Sequence, residues 1–293
     1  MQAVKEAGGD IVAALDPNDS VGVIDSYFPD AHFFTEFERF DRHVDKLRRR
    51  GAGVDYVSIC SPNYLHDAHI RFAFRSHADA VCEKPLVLNP WNLDGLAKIE
   101  QESGRRVSTI LQLRLHPAIR ALKQKVEESG PNTIYDVVLT YVTSRGRWYH
   151  TSWKGDDKKS GGIATNIGIH FFDMLGYVFG RPQLNVAHLR DDSRAAGYLE
   201  LERARVCWFL SVDRNDLPAE NPAGRSTYRS ITVNDEEIEF SGGFERLHTD
   251  SYRLILDGKG FGVDDSRPSI ELVAALRQAE PSLDRGELHP RLK

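Results

Sequence analysis

The chain has 293 residues, of which 41% are hydrophobic and 28% charged, and its formal net charge is −5. Mild acidity argues against a nucleic-acid binder that depends on a basic face, and no apolar run approaches the roughly 20 residues of a membrane-spanning helix. Three widely spaced cysteines, Cys60, Cys82 and Cys207, set up neither a disulfide framework nor a zinc motif and fit a reducing cytoplasm.

A chain this long predicts about two domains. The opening "MQAVKEAGG" reads as the last turns of a helix stopped by Gly8-Gly9. "DIVAALD" then reads as a buried strand ending in an acid, Asp16. A short helix around Val21–Tyr27 follows, then a brief extended piece and a helix over "HFFTEFERFDRHVDKLRRRG", which Gly51 stops. "VDYVSICSPN" is a second buried strand and "HDAHIRFAFRSH" a helix. "ADAVCEKP" is a further strand, and Pro90 opens a helix that Gly104 ends. "RVSTILQLRLHP" closes this half as a strand. Strands alternating with helices imply a parallel sheet with right-handed crossovers, and ligands gather beyond the carboxyl ends of such strands.

After the helix near Pro117–Ser129 the pattern changes. "TIYDVVLTYVTSRGRW" is long and extended, and strands are expected near Asn185–Arg190, Tyr198–Leu201, Arg205–Val212 and Thr227–Val233. Helical patterns are sparse: "GIHFFDMLGYVFG", "GGFERLHTDSYRLILDG" and a segment near Ser269–Ala279. The fold class expected is α/β: a Rossmann-type parallel sheet over residues 1–116, then an α+β unit over 117–293 with a large, mainly antiparallel sheet. A dinucleotide fold normally opens with a strand, a glycine-rich turn and a helix. Here Asp16 fits the acid of the second strand, and no G-x-G-x-x-G precedes it. The expectation is therefore a chain whose first strand is absent, whose true start lies upstream of Met1, and whose cofactor is held weakly or not at all.

Three motifs in order, "SICSPNYLH", "CEKPL" and "SGGIATNIGIHFFDML", resemble the glucose–fructose oxidoreductase/inositol dehydrogenase (Gfo/Idh/MocA) family over nearly the whole chain. The wording of "LQLRLHP" and "WKGDDKKSGGIATNIGIHFFDM" is similar to one branch, which oxidises the 3-hydroxyl of UDP-N-acetyl-D-glucosaminuronate with NAD in bacterial surface-polysaccharide synthesis. The resemblance implies Lys84 as the catalytic lysine and His170 as its partner, with Asn166 standing where the family commonly has Asp. It implies cofactor contacts from Asp16, Ser61, Asn63, His66, Glu83, Lys84 and Gln112. It places Arg114 and His170 toward substrate, and it implies a homotetramer and 2-oxoglutarate as an oxidant of bound NADH. Partial desolvation should lower the pKa of Lys84, and an amide at 166 cannot raise that of His170 as a carboxylate would.

The segment Ser144–Gly162 reads as a long aromatic loop. Its Arg145, Arg147, Tyr149, Trp153 and Lys154 offer the cations and stacking surfaces that a nucleoside diphosphate and a sugar carboxylate need. Two alternatives stand beside this reading: a polyol or inositol-type dehydrogenase of the same family, and a cofactor-free sugar-binding or interaction protein. His66-x-x-His69 lacks the spacing of the helical zinc motif, so no metal is expected.

Overall fold

The computed structural model describes residues 1–18, 21–219, 225–238 and 242–293. The first half places five short strands in chain order: β1 (Ala13–Leu15), β2 (His32–Phe34), β3 (Tyr56–Ile59), β4 (Asp79–Cys82) and β5 (Val107–Thr109). All their pairings are parallel: β1 with β2, and β4 with β3 on one side and β5 on the other. Among the described residues the parallel pairing expected from the sequence forms two sheets, of two and three strands.

The helices between them are α1 (Gln2–Glu6), α2 (Val21–Asp25), α3 (Phe37–Arg49), α4 (His66–Arg75) and α5 (Pro90–Ser103). α3 carries Phe37, Phe40 and Val44 on one face. Phe37 and Phe40 set their rings 5.3 and 5.6 Å from Phe72 of α4, so the helix is held by an aromatic seam. α5 begins at Pro90, whose fixed φ suits a first turn, and ends at Gly104 with φ +67°. β4 is buried between its neighbours and leads directly into Glu83-Lys84-Pro85.

The second half begins with α6 (Pro117–Glu128), capped by the His116 ring, which accepts from Ala118 N. A six-stranded sheet follows from β6 (Tyr135–Thr143), β7 (Pro182–Arg190), β8 (Arg194–Leu201), β9 (Ala204–Ser211), β10 (Thr227–Val233) and β11 (Glu236–Glu237), in the order β11-β10-β6-β9-β8-β7. Only β6 and β9 pair in parallel, so the sheet is mainly antiparallel, as its alternating sequence implies. The segment expected as one long loop instead folds as α7 (Arg147–Thr151), a 3-10 turn and α8 (Asp157–Ser160). Ser152 and Asp156 cap the two later turns. α9 (Ile169–Phe179) packs on the sheet, with Phe172 edge-on to Trp208 at 5.1 Å. α10 (Leu247–Leu256) and α11 (Val263–Gln278) return to the first half. Thr109 N donates to Phe261 O, and Arg267 pairs with Asp94 of α5 at 2.9 Å.

Arg114 joins the halves. It stands on the 3-10 turn after β5 and is 9% exposed. Its Nε and Nη2 donate to both oxygens of Asp173 on α9, at 3.0 and 2.7 Å. It also donates to the Asp265 carboxylate at 3.2 Å and the Asp265 carbonyl at 2.8 Å on α11. Tyr177 and Phe261 lie against the guanidinium. Removing one partner strands a buried charge. Asp173→Ala should cost about 3–5 kcal/mol in urea denaturation, whereas Asp250→Ala, which loses an exposed pair, should cost under about 1 kcal/mol. Equal losses would contradict the clamp.

Candidate active site

Three loops leave the carboxyl ends of β3, β4 and β5 side by side, because those strands are parallel and in register. They carry Ser61-Pro62-Asn63, Glu83-Lys84-Pro85 and Gln112. Glu83 N donates to Ile59 O, which locks the middle loop to the end of β3. The Lys84–Pro85 bond is cis.

Lys84 Nζ donates to the backbone carbonyl of Asn166 at 3.2 Å. That carbonyl lies in a π-helical segment, Ala164–Gly168, ahead of α9, a widened turn of the kind common at functional sites. Desolvation lowers the Lys84 pKa to about 8; Glu83 opposes the drop, while Lys154 and Arg145 deepen it. Lys84 is thus an amine able to take a proton near neutrality. His170, one helical position into α9, is pushed well below its usual range by burial, with Lys84, His248 and Arg229 adding to the effect. It is a neutral imidazole at physiological pH and can exchange hydrogen bonds with a hydroxyl. Asn166 Nδ2 donates to Tyr149 OH at 3.1 Å, and Tyr149 is 1% exposed. Burial raises the Tyr149 pKa, so the phenol stays neutral.

The structure brings Lys84, Asn166, Tyr149, Arg145 and Lys154 together, with His170 beside them. Lys154 sits over the rings of Trp148 and Trp153, 5.1 and 5.7 Å from their centroids. Arg145 and Arg147 are exposed, Arg147 at the first residue of α7. Asp16 stands just beyond β1, where its Oδ1 accepts from Asn18 N and Nδ2 at 2.8 and 3.1 Å. Gln112 offers a buried Oε1 with no hydrogen-bond partner among the described residues. A buried acceptor left open suits a ligand that carries an N–H or O–H donor.

Four of the expected contact residues already hold partners within the protein. Arg114 is enclosed by its ion pairs and joins the halves. His66, 1% exposed, sets its ring nitrogens 2.7 and 2.9 Å from Pro85 O and Ser61 O, tying two loops together. Burial lowers its pKa, and hydrogen bonds to those two carbonyls oppose the drop. Asn63, also buried, donates to Ser160 O at 2.9 Å and to Asn166 Oδ1 at 3.4 Å. The Ser61 hydroxyl is engaged with His69 Nδ1 at 2.9 Å. The sequence reading missed His248 of α10, whose Nε2 lies 3.3 Å from Glu83 Oε1. Its helix was legible, but nothing local says which strand end it meets.

Comparison with known proteins follows the same division. Residues 3–111 match the model of the oxidoreductase family, NAD-binding Rossmann fold, and residues 123–220 that of the oxidoreductase family, C-terminal alpha/beta domain. The structure is similar to the WlbA (WbpB) dehydrogenase of Thermus thermophilus solved in complex with NAD and alpha-ketoglutarate, with a TM-score of 0.95 and 52% identity over 99% of this chain and 94% of that one. The same dehydrogenase in complex with NAD and UDP-GlcNAcA gives 0.94 and 51%, with the same coverage. Curated relatives are more distant. The D-glucoside 3-dehydrogenase of Escherichia coli is 27% identical over 44% of this chain, and the putative UDP-kanosamine synthase oxidoreductase subunit of Amycolatopsis mediterranei 24% over 75%. The chain spans 36% and 59% of the lengths of those two relatives.

Lys84 should titrate near pH 8, charged below and neutral above, when its resonance is followed by NMR after reductive methylation with 13C-formaldehyde. A midpoint at the ordinary 10.5 would contradict the desolvated site.

Proposed function

Because this chain belongs to the Gfo/Idh/MocA oxidoreductase family, whose first unit is an NAD-binding Rossmann fold, we propose that it oxidises the 3-hydroxyl of UDP-N-acetyl-D-glucosaminuronate to the 3-keto sugar with NAD. The observation that carries the reading is 51% identity, over 99% of the chain, to a dehydrogenase solved with NAD and UDP-GlcNAcA. Residues 1–116 serve as the cofactor unit and 117–293 as the substrate and assembly unit.

Turning a secondary alcohol into a ketone removes a hydride from carbon and a proton from oxygen. NAD, when bound, accepts the hydride. The residues that would hold it are Asp16 at the ribose, Gln112 through its unpartnered Oε1, and Glu83 and Lys84 at the end of β4. The proton is the protein's task. Lys84, with its pKa near 8, takes it from the 3-hydroxyl. His170 orients the same hydroxyl as a neutral hydrogen-bond partner. Asn166 holds the Lys84 amine through its carbonyl and the Tyr149 phenol through its amide. Arg145, Arg147 and Lys154 supply positive charge for a diphosphate and a carboxylate, and the Trp148 and Trp153 rings offer faces for stacking.

2-Oxoglutarate reoxidises bound NADH, as the solved complex with alpha-ketoglutarate suggests. The enzyme works as a homotetramer built on its open sheet, in the cytoplasm, in lipopolysaccharide or other surface-polysaccharide synthesis. Three free thiols agree with that compartment, and no helix among the described residues is long and apolar enough to cross a membrane.

Single-turnover formation of bound NADH, followed at 340 nm without 2-oxoglutarate, should show a second-order rate constant for UDP-GlcNAcA at least about 100-fold above that for myo-inositol, since a site built for anions leaves its charges unpaired with a neutral polyol. Lys84→Met should lower kcat by about 10²–10⁴. Turnover of inositol with none of the UDP-sugar would overturn the proposal.

A further inference from the structure

We infer that His248 is a positioning residue that holds the Glu83 carboxylate in place beside Lys84. The inference rests on the function proposed above, in which Glu83 meets the cofactor.

His248 and Tyr252 are four residues apart, so they share one face of the helix. Both reach the carboxyl ends of the parallel strands. The Tyr252 hydroxyl hydrogen-bonds the Ser58 hydroxyl of β3, and His248 Nε2 stands 3.3 Å from Glu83 Oε1 after β4. Tyr252 and Ile255 also pack against Val81 and Ile110, which anchors that face in apolar contact. The neighbouring face is fixed separately: Thr249 donates to the Glu6 carboxylate at 2.8 Å and Arg253 to the Glu6 carbonyl at 3.2 Å. A helix tied on two faces is a rigid mount for the imidazole.

Glu83 needs such a mount. Its backbone is fixed by the bond to Ile59, but its side chain has three rotatable bonds and stands in a partly buried place. Burial pushes its carboxyl up; the hydrogen bond and charge of His248, with Lys84, outweigh burial and keep the group below its usual value. The same carboxylate opposes the loss of charge on Lys84. The His248 side chain is 47% exposed, so replacing it empties no core position and leaves the α10 anchor in Tyr252 and Ile255 intact.

The test compares His248→Ala, His248→Gln and Glu83→Gln in the full chain, singly and combined, by steady-state kinetics with NAD and UDP-GlcNAcA. His248→Ala should raise KM for NAD about tenfold and leave KM for the sugar within about twofold. His248→Gln, which keeps an N–H donor, should recover most of the loss. On the Glu83→Gln background His248→Ala should add nothing. An unchanged KM for NAD in His248→Ala, or the same penalty with and without Glu83, would overturn the inference while the enzyme itself still turns over. A wild-type chain that neither binds nor reduces NAD would overturn the proposed function, and the inference with it.

Discussion

An ammonium taken out of water must either find anions or give up its proton. At the end of β4 the chain offers Lys84 one carboxylate, Glu83, and sets two other cations, Lys154 and Arg145, close enough to be felt. Among the described residues its amine donates to a carbonyl oxygen, that of Asn166. The balance leaves an amine poised near pH 8, where a base that must both take and release protons is most useful. Much of the surrounding structure serves to keep this balance. Asn63 and Tyr149 hold the Asn166 side chain from two sides, and His66 braces the Pro85 carbonyl immediately after Lys84.

Precision at Lys84 requires that the first half of the chain not slide against the second, because the lysine comes from one and Asn166 and His170 from the other. Arg114 meets that need. Its pairing with Asp173 places a buried contact on the same helix as His170, one turn along. Its bonds to Asp265 bring in α11, which packs also on α5 and α9. A buried ion pair of this kind contributes little net stability against an apolar substitute, yet it penalises any other arrangement heavily. We read it as a device for registry between the halves.

The alternation of apolar runs with capped helices made the parallel strands visible. Ala80-Val81-Cys82 followed by Glu-Lys-Pro reads as a strand end, and three motifs in order, with the resemblance they carry, made Lys84 legible. His170 was legible from its motif, and the large sheet from its period-two strands. Long-range pairing was not. Arg114 sits after β5 just as a cofactor contact would, and its partners lie 59 and 151 residues further on. Asn63 and His66 follow β3 in the same way, and only the fold shows that their polar atoms turn inward to other loops. The Ser144–Gly162 segment lacks the length of any one helical pattern, so the short turns capped by Ser152 and Asp156 went unread. His248 had no local signal, since its meaning comes from where α10 docks.

The central claim is that the neutral Lys84 amine receives the proton of a sugar 3-hydroxyl while the C3 hydrogen leaves as hydride. Transfer of label tests it most directly: the protein is incubated with NAD and UDP-N-acetylglucosaminuronate carrying deuterium at C3, and the reduced nucleotide is examined by mass spectrometry. The account predicts one deuterium per NADH formed, in a reaction that slows as pH falls below about 8 and Lys84 becomes charged. NADH without deuterium, or a rate indifferent to pH across that range, would contradict it.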